Sequence, residues 1–452
     1  MIVKEKDQLE VEIMDMNHRG QGVAKADGYV IFIDDLIIGD VACIEIESAK
    51  KQYAVGKVVR LLKASPYRVK PECPYFWDCG GCQLMHMRYD QQLIVKKQRV
   101  KSEINKFIPT DQIVINDTLG MESPFRYRNK GAYPVVMEKG QVAIGAYRIG
   151  THEIVDLDAC LIQHPVADGI VNTFRAIITA TKLMPYDEKN GTGLIKHLMI
   201  RTNIKNEAMV IIVAAKNKLP YKNEIIHKLL DEIPEIKSIY LNTNHKQTNV
   251  VLGDKNKKLY GEAVLTDQTC DLDFSISPHS FFQVNHTQTE VLYQKAIEFA
   301  GLNKNQIVYD IYCGIGTISL VAARQAKKVY GIKMVQAAIE DARENAKANQ
   351  IHNVEFYCGK AETIFPQIEQ DLGSEKVVIV DPPRKGCDKS VLDTIIRVQP
   401  IRVVYVSCNP ATLARDLKIL VEGGYAVKEI QPVDMFPHSS HVETVVLITR
   451  NI

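Results

Sequence analysis

The chain has 452 residues, of which 46% are hydrophobic, so it is long enough to bury more than one hydrophobic core. No apolar run approaches the roughly 20 residues of a membrane-spanning helix and the first residues are charged, so we expect a cytoplasmic protein that neither enters a membrane nor is secreted. The net charge of +2 indicates no partner, and ten cysteines in such a chain favour metal binding or catalysis over disulfides.

The first predicted elements are short β-type runs broken by glycines between residues 9 and 62, which predict a small barrel. Residues 50 to 130 contain 16 Lys and Arg against 7 Asp and Glu, with aromatic residues between them. Such a segment can neutralise phosphates and stack on bases, which indicates RNA binding. A solvated basic face is the alternative interpretation.

Three cysteines follow the barrel within ten residues, Cys73, Cys79 and Cys82, and a Gly-Gly pair lets the chain turn tightly between the last two. Such clustering indicates a metal centre, which needs a fourth ligand. Cys160 is the best candidate. The resulting all-thiolate set suits a [4Fe–4S] cluster, with a zinc site as the alternative.

Apolar residues recur at helical spacing from Gln91 to Phe107, which predicts one amphipathic helix. Residues 120 to 270 alternate β-type runs with turns, and the runs Leu198–Thr202 and Met209–Val213 predict a hairpin within an α+β region. From about Gln283 onward strands and helices alternate regularly, which predicts a doubly wound parallel sheet.

Unusual residues follow the strands of this predicted sheet, at the edge where ligands of such folds bind. The first strand ends in Asp310-x-x-Cys-Gly-x-Gly316, whose glycines let the backbone approach a nucleoside cofactor. The spacing differs from G-x-G-x-x-G, so S-adenosylmethionine is favoured over a dinucleotide, with a simple glycine turn as the alternative. Lys333 and the sequence Asp381-Pro-Pro-Arg384 end later strands.

A cysteine ends the next strand, in Ser407-Cys408-Asn409-Pro410, and Glu443 lies beside the last strand. Either residue alone has an ordinary interpretation, as a packed thiol or a solvated carboxylate. Together with the glycine loop and Asp381 they provide a nucleophile, a base and a cofactor pocket on one edge. This pairing suits covalent chemistry on a pyrimidine ring, with carbon rather than an exocyclic nitrogen as the methyl acceptor.

A family resemblance is carried by the segments Phe281-Phe-Gln283-Val-Asn285, Asp310 to Gly316, Asp381-Pro-Pro-Arg384, Ser407-Cys408-Asn409-Pro410 and His441-Val-Glu443-Thr444. Through them the chain resembles the RNA uracil-C5 methyltransferases over essentially its whole length. The barrel and the four cysteines resemble additions found in the 23S ribosomal RNA enzymes rather than in the compact transfer RNA enzymes. The matching cysteines are the [4Fe–4S] ligands of that family.

The resemblance implies that Cys408 attacks uracil C6, that C5 then takes a methyl group from S-adenosylmethionine, and that Glu443 removes the C5 proton. It also implies that Phe281 stacks on the target base, which must leave the RNA stack to react. The implied cofactor-binding residues are Gln283, Asp310, Tyr312, Gly314, Thr317, Lys333 and Asp381.

Lys333 departs from the family, which has an acidic residue there to accept hydrogen bonds from the cofactor ribose. A lysine cannot accept them, so a weakened methyl-donor site is expected. Two alternatives to a 23S ribosomal RNA enzyme stay open. One is a transfer RNA (uracil-C5)-methyltransferase, because the catalytic motifs alone do not choose the RNA, and the other is a metal-containing RNA-binding factor with a weakened donor site, which Lys333 favours.

The expected fold is multidomain α/β, with three parts. Residues 1–62 form a TRAM (OB-like) RNA-binding barrel, and residues 63–270 form a central α+β iron–sulfur RNA-binding domain. Residues 271–452 form a Rossmann-like, S-adenosylmethionine-dependent methyltransferase domain, against which the helix near 88–107 packs. The expected partner is 23S ribosomal RNA, and no obligate protein partner is indicated.

Overall fold

The N-terminal part is a strongly curved β-sheet in a computed structural model that describes residues 3–368 and 375–451. Its strands are β1 (Gln8–Glu12), β2 (Asp15–Met16), β3 (Gly22–Ala26), β4 (Tyr29–Ile33), β5 (Val41–Ala49) and β6 (Tyr53–Lys63). They pair in the order β1-β5-β6-β4-β3-β2, and Met14 N donates to Val23 O, which brings the two ends of the sheet together. The sheet encloses an apolar core, because alternate residues such as Ile31 and Ile33 are fully buried.

Two elements follow that belong to the C-terminal part of the molecule, helix α1 (Tyr89–Asn105) and the short strand β7 (Val114–Ile115). The central part then has β8 (Lys130–Glu138), β9 (Gln141–Tyr147), β10 (Ile154–Asp156), α2 (Pro165–Thr181), β11 (Ile195–Thr202), β12 (Ala208–Ala214), α3 (Lys222–Glu232), β13 (Ile236–Thr243) and β14 (Lys255–Gly261). These strands form one sheet in the order β10-β9-β8-β11-β12-β13-β14. The predicted hairpin is confirmed, because β11 and β12 pair antiparallel with Leu198 opposite Ile212.

The C-terminal part begins with a separate hairpin and continues as an α/β sheet. Its elements are β15 (Leu265–Thr269), β16 (Leu272–Ile276), α4 (His286–Ala300), β17 (Gln306–Ile311), α5 (Thr317–Ala323), β18 (Lys328–Lys333), α6 (Gln336–Ala348), β19 (Val354–Cys358), α7 (Ala361–Ile368), β20 (Glu375–Val380), α8 (Lys389–Val398), β21 (Arg402–Ser407), α9 (Pro410–Glu422), β22 (Tyr425–Val433) and β23 (Glu443–Arg450). The sheet order is β19-β18-β17-β20-β21-β23-β22-β7, with apolar cores on both faces.

The expectation of a parallel sheet is wrong for the last strand. Strands β17 to β21 pair in parallel, but β23 lies antiparallel between β21 and β22. The reason is the short connection from Val433 to Glu443, because a parallel crossover requires a dozen or more residues whereas an antiparallel return does not. As a result, the start of β23 lies at the same edge as the carboxyl end of β21.

Helix α1 packs against α9 and β22 of this C-terminal sheet, with Val100 and Ile104 in the same apolar core as Leu413 and Leu417. Its buried face is partly polar, because Gln92 and Lys96 are buried with hydrogen-bond partners. Ile94 of this helix and Phe107, just beyond its end, are exposed, although both are apolar and lie within the predicted amphipathic helix. None of the described helices combines the length and the apolar composition that crossing a membrane requires.

Candidate active site

A cleft of about 810 Å³ opens at the carboxyl edge of the C-terminal sheet. It brings together residues that follow different strands, because the carboxyl ends of parallel strands meet at one edge. Every residue predicted to bind the cofactor, the base or the reacting carbon lines this cleft: Phe281, Gln283, Asp310, Tyr312, Gly314, Thr317, Lys333, Asp381, Cys408 and Glu443.

Cys408 is held at the cleft by the turn that begins α9. Asn409 caps the helix by accepting a hydrogen bond from Ala411 N at 3.2 Å, and Pro410 takes the first helical position, where its missing N–H costs nothing. The Asn409 amide also donates to Arg384 O at 3.1 Å. This bond joins the turn that carries Cys408 to the loop that carries Asp381, and both lie on the cleft.

Glu443 reaches the cleft because β23 is antiparallel. Its neighbour Thr444 pairs with Ser407, the residue before Cys408, so the two predicted reactive residues lie at adjacent strand ends. The Glu443 side chain is buried, with a residue exposure of 4%. In a parallel arrangement the first residue of β23 would lie at the opposite edge of the sheet, away from the thiol.

The electrostatics of this pair favour the protonated forms. Burial raises the pKa of Glu443 to about 8, with a further contribution from Asp381, whereas Arg384 acts in the opposite direction. Burial also raises the pKa of Cys408 to about 11, and the charges of Glu443 and Asp381 add to it. Arg384 again opposes the shift. The site can therefore hold a proton on the carboxyl and exchange it near neutral pH.

The other end of the cleft can hold a nucleoside cofactor. Asp310 is fully buried and accepts from Ser319 Oγ with Oδ2, but its Oδ1 has no hydrogen-bond partner among the described residues. Burial raises the pKa of this carboxyl to about 6. The adjoining loop turns at Tyr312 and Gly314, which have φ values of 75° and 61°. A free buried acceptor beside an open loop is suited to a ligand that donates hydrogen bonds.

Lys333 ends β18 and lines the same end of the cleft. Its positive charge lowers the pKa of Asp310 and of Asp381, in opposition to burial, which raises the pKa of Asp381 to about 7. The lysine therefore stabilises the ionised carboxylates of the unliganded cleft.

Several lining residues were not singled out by the sequence: Tyr293, Lys360, Glu362, Phe436 and His441. Tyr293 is the clearest example, because its hydroxyl lies 3.1 Å from Thr317 Oγ1 although it belongs to helix α4, far from any strand end in sequence. Of these five, only His441 had a possible signal, because it lies within a motif that was recognised for its neighbour Glu443.

The four cysteines predicted as metal ligands line one small, largely apolar cavity between the cysteine-bearing segment and the turn at Cys160. Burial raises the pKa of each thiol. In the described part of the chain, no three His, Cys, Asp or Glu side chains are grouped closely enough to hold one metal ion. An iron–sulfur centre is therefore not shown. Four thiols around a common cavity have the chemistry that a [4Fe–4S] cluster would need, in which each thiolate would bind a different iron.

Comparison with known families matches nearly all of the chain. Residues 88–451 match the family described as tRNA (Uracil-5-)-methyltransferase, and residues 3–59 match the TRAM domain. The first match includes both the cleft and the central sheet, and the second covers the curved N-terminal sheet up to residue 59, within β6.

Among the relatives is an uncharacterized RNA methyltransferase of Bacillus cereus, 44% identical over 99% of this chain and 98% of its own length. One of Caldanaerobacter subterraneus is 46% identical over 99% of both chains. The crystal structure of Pyrococcus abyssi tRNA (uracil-54, C5)-methyltransferase with S-adenosyl-L-homocysteine superposes with a TM-score of 0.78 at 28% identity, covering 98% of this chain and 100% of that one. The chain therefore belongs to the RNA uracil-5-methyltransferase family and carries an N-terminal TRAM domain.

Proposed function

We propose that this chain methylates C5 of uracil in 23S ribosomal RNA through a covalent bond between Cys408 and uracil C6. The observation that carries the reaction is the common cleft of Cys408 and Glu443, since a nucleophile and a base on adjacent strand ends can act on neighbouring atoms of one ring. Because both atoms are hidden in stacked RNA, the target uridine must turn out into the cleft. Phe281, which is 60% exposed at the cleft, offers a face on which that base stacks.

The chain's own residues supply the acid–base and covalent steps. The Cys408 thiol gives its proton to solvent water, and the resulting thiolate adds to C6. The C5–C6 π electrons move into an enolate over C5, C4 and O4, which makes C5 nucleophilic. After C5 has gained the methyl group it carries both CH₃ and H, and the Glu443 carboxylate removes that proton. The electrons left by the proton restore the C5–C6 double bond and expel the thiolate, so the enzyme is regenerated with one proton on Glu443.

S-adenosylmethionine, when bound, supplies an electrophilic methyl group. The residues proposed to hold it are Gln283, Asp310, Tyr312, Gly314, Thr317 and Asp381, with Lys333 at the ribose end. The unpartnered oxygen of Asp310 and the carboxylate of Asp381 supply acceptors for its N–H and O–H groups.

The choice of 23S ribosomal RNA rests on the resemblance of the barrel and cysteines to the large-subunit enzymes. Transfer RNA is the second candidate, favoured by the likeness along almost the full chain to a Pyrococcus abyssi enzyme that acts on tRNA. A likeness of this extent means that domain organisation alone does not choose between the two RNAs.

Mapping 5-methyluridine in both RNA classes, from cells with and without this protein, tests the choice. We expect one or more 5-methyluridines to vanish from 23S ribosomal RNA and to return when the gene is restored. Loss of 5-methyluridine from transfer RNA alone would show that transfer RNA, the second candidate, is the substrate.

We also propose that Cys73, Cys79, Cys82 and Cys160 hold a [4Fe–4S] cluster with a structural role. Their shared cavity and all-thiolate chemistry support it, and zinc is the alternative. Metal and acid-labile sulfide analysis of protein purified without oxygen separates the two. About four iron and four sulfide ions per chain are expected for the cluster, whereas one zinc ion per chain without sulfide would indicate a zinc site instead.

An RNA-binding factor with a decayed donor site is the remaining rival, and Lys333 is the residue that favours it. RNA containing 5-fluorouridine separates the two, because fluorine at C5 cannot leave as a proton does. With S-adenosylmethionine, an enzyme becomes trapped on this RNA through Cys408, whereas a binding factor releases it on denaturation.

A further inference from the structure

The loop of residues 434–442, which joins β22 to β23 and leads directly into Glu443, is held by side chains from distant parts of the chain. Lys96 on α1 donates to Asp434 Oδ1 at 2.5 Å and to Phe436 O at 3.1 Å, and both members of this ion pair are buried. Ser440 Oγ donates to His18 O of the N-terminal sheet at 2.8 Å. The position of the loop is therefore set from outside the sheet that it belongs to.

Gln92 is the central residue of this arrangement. Its fully buried amide donates to Leu84 O at 3.0 Å and to Met87 O at 2.8 Å, and its oxygen accepts from His438 N at 3.0 Å. One side chain thus joins the segment after Cys82 to the middle of the loop.

His438 is the loop residue that most needs this support. Its φ is 65°, a left-handed conformation that is uncommon for a residue with a side chain, although histidine adopts it more readily than most. Its carbonyl accepts from Gln83 N at 2.9 Å and from Leu84 N at 2.8 Å, and its ring stacks on Phe125 at 4.6 Å. Together with the bond from Gln92, these contacts fix a backbone that would otherwise relax.

Among the residues of the cleft, Glu443 and the loop residues Phe436 and His441 depend most on this loop. It is the first residue of β23 and pairs with Val433 of β22, whereas the register with β21 begins only at Thr444. Cys408 is fixed separately by the helix cap at Asn409. A shift of the loop would therefore move the carboxylate, together with Phe436 and His441, while the thiol and the cofactor residues stay in place.

We propose that Gln92 is a positioning residue, which fixes the loop of residues 434–442 through His438 and so aligns Glu443 for removal of the C5 proton. This inference rests on the proposed function of Glu443 as the base. It predicts a specific defect, because a misplaced base slows the step after methyl transfer and leaves a methylated RNA joined to Cys408. A displacement of about 1 Å can slow a step by about a hundredfold.

The test is a single-turnover reaction of the full chain, with methyl-labelled S-adenosylmethionine and RNA from cells lacking the protein. Total label transferred is measured against label in a protein–RNA adduct that survives denaturation. For Gln92→Met we expect transfer within about threefold of wild type and an adduct that persists at least tenfold longer. The matched control is Gln306→Met, another buried glutamine, which bonds Glu375 away from the loop and should behave as wild type.

Glu443→Gln separates the proposed role of Glu443 as the base from the proposed positioning role of Gln92. If it fails to accumulate the methylated adduct, the base assignment is wrong. If it accumulates the adduct but Gln92→Met does not, or if Gln92→Met slows transfer and resolution equally, the positioning role is wrong.

Should Gln92→Met not fold, His438 carries the same test. His438→Asn tolerates the left-handed backbone and should resolve the adduct near the wild-type rate, whereas β-branched His438→Val should prolong it. Equal lifetimes for these two variants would overturn the inference.

Discussion

Replacing Lys333 by glutamate should strengthen binding of S-adenosylmethionine. The lysine ends β18 and lines the cleft at the end proposed for the ribose, where the family resemblance implies an acidic acceptor. Lys333→Glu supplies a carboxylate that can accept from the ribose hydroxyls.

The magnitude follows from two opposing effects. Hydrogen bonds to a charged acceptor contribute about 1.5–3 kcal/mol, which corresponds to about tenfold to over a hundredfold in affinity. The same change removes the cation that lowers the pKa of Asp310 and Asp381 and adds a third carboxylate beside them. Without ligand, Lys333→Glu should therefore melt at a lower temperature than wild type. Added S-adenosylmethionine, which is cationic, should raise the melting temperature of Lys333→Glu by more than it raises that of wild type.

Titration calorimetry of wild type, Lys333→Glu and Lys333→Met measures this directly, with S-adenosylmethionine as the ligand. The methionine variant is the matched control, because it removes the cation without adding an acceptor. Equal affinity of Lys333→Glu and wild type would refute the reasoning. Equal gains in the two variants would show that loss of the lysine, rather than the new acceptor, is responsible.

Other predictions concern the buried ion pair, the base and the cysteines. Lys96→Met should lower the free energy of unfolding, measured in urea, by about 3–5 kcal/mol, because it leaves Asp434 charged and buried. The double variant Lys96→Met with Asp434→Leu should lose less free energy of unfolding, and equal losses would contradict this. The rate at which the covalent adduct resolves should rise as pH increases through about 8, because only ionised Glu443 accepts the proton. Arg384→Gln should move that rise to higher pH, because Arg384 lowers the pKa of Glu443. A pH-independent rate would argue against Glu443 as the base. Cys79→Ala should weaken RNA binding, measured by filter binding, or lower the melting temperature, measured by calorimetry. No change in either quantity would contradict a structural role for Cys79.

Much of the fold is predictable because its signals are local. Alternation of strands and helices after residue 283 indicates the α/β sheet, and the hairpin of β11 and β12 follows from two apolar runs and a polar turn. Strand direction is less local. The antiparallel course of β23 could have been inferred from the short link between Val433 and Glu443, but its place between β21 and β22 is set by pairing across the sheet.

The candidate site divides in the same way. Asp310, Asp381 and Cys408 follow strands, so the sequence places them at one edge once an α/β sheet is assumed. Glu443 instead begins β23 and reaches that edge only because β23 is antiparallel. By contrast, the contacts of Gln92 with His438 and of Lys96 with Asp434 join residues more than 300 positions apart. Hydrophobic periodicity is a local signal and cannot predict contacts between such distant residues. In the sequence, a polar residue on the buried face of α1 is therefore indistinguishable from a break in an amphipathic pattern.

The most direct measurement compares methyl transfer to RNA by wild type and by Cys408→Ala, with Cys43→Ala of the N-terminal sheet as the control. Transient attack by the Cys408 sulfur is what makes C5 reactive, so the account predicts that Cys408→Ala transfers no detectable labelled methyl group while Cys43→Ala keeps the wild-type rate. Methylation of uracil C5 by Cys408→Ala at the wild-type rate would contradict it.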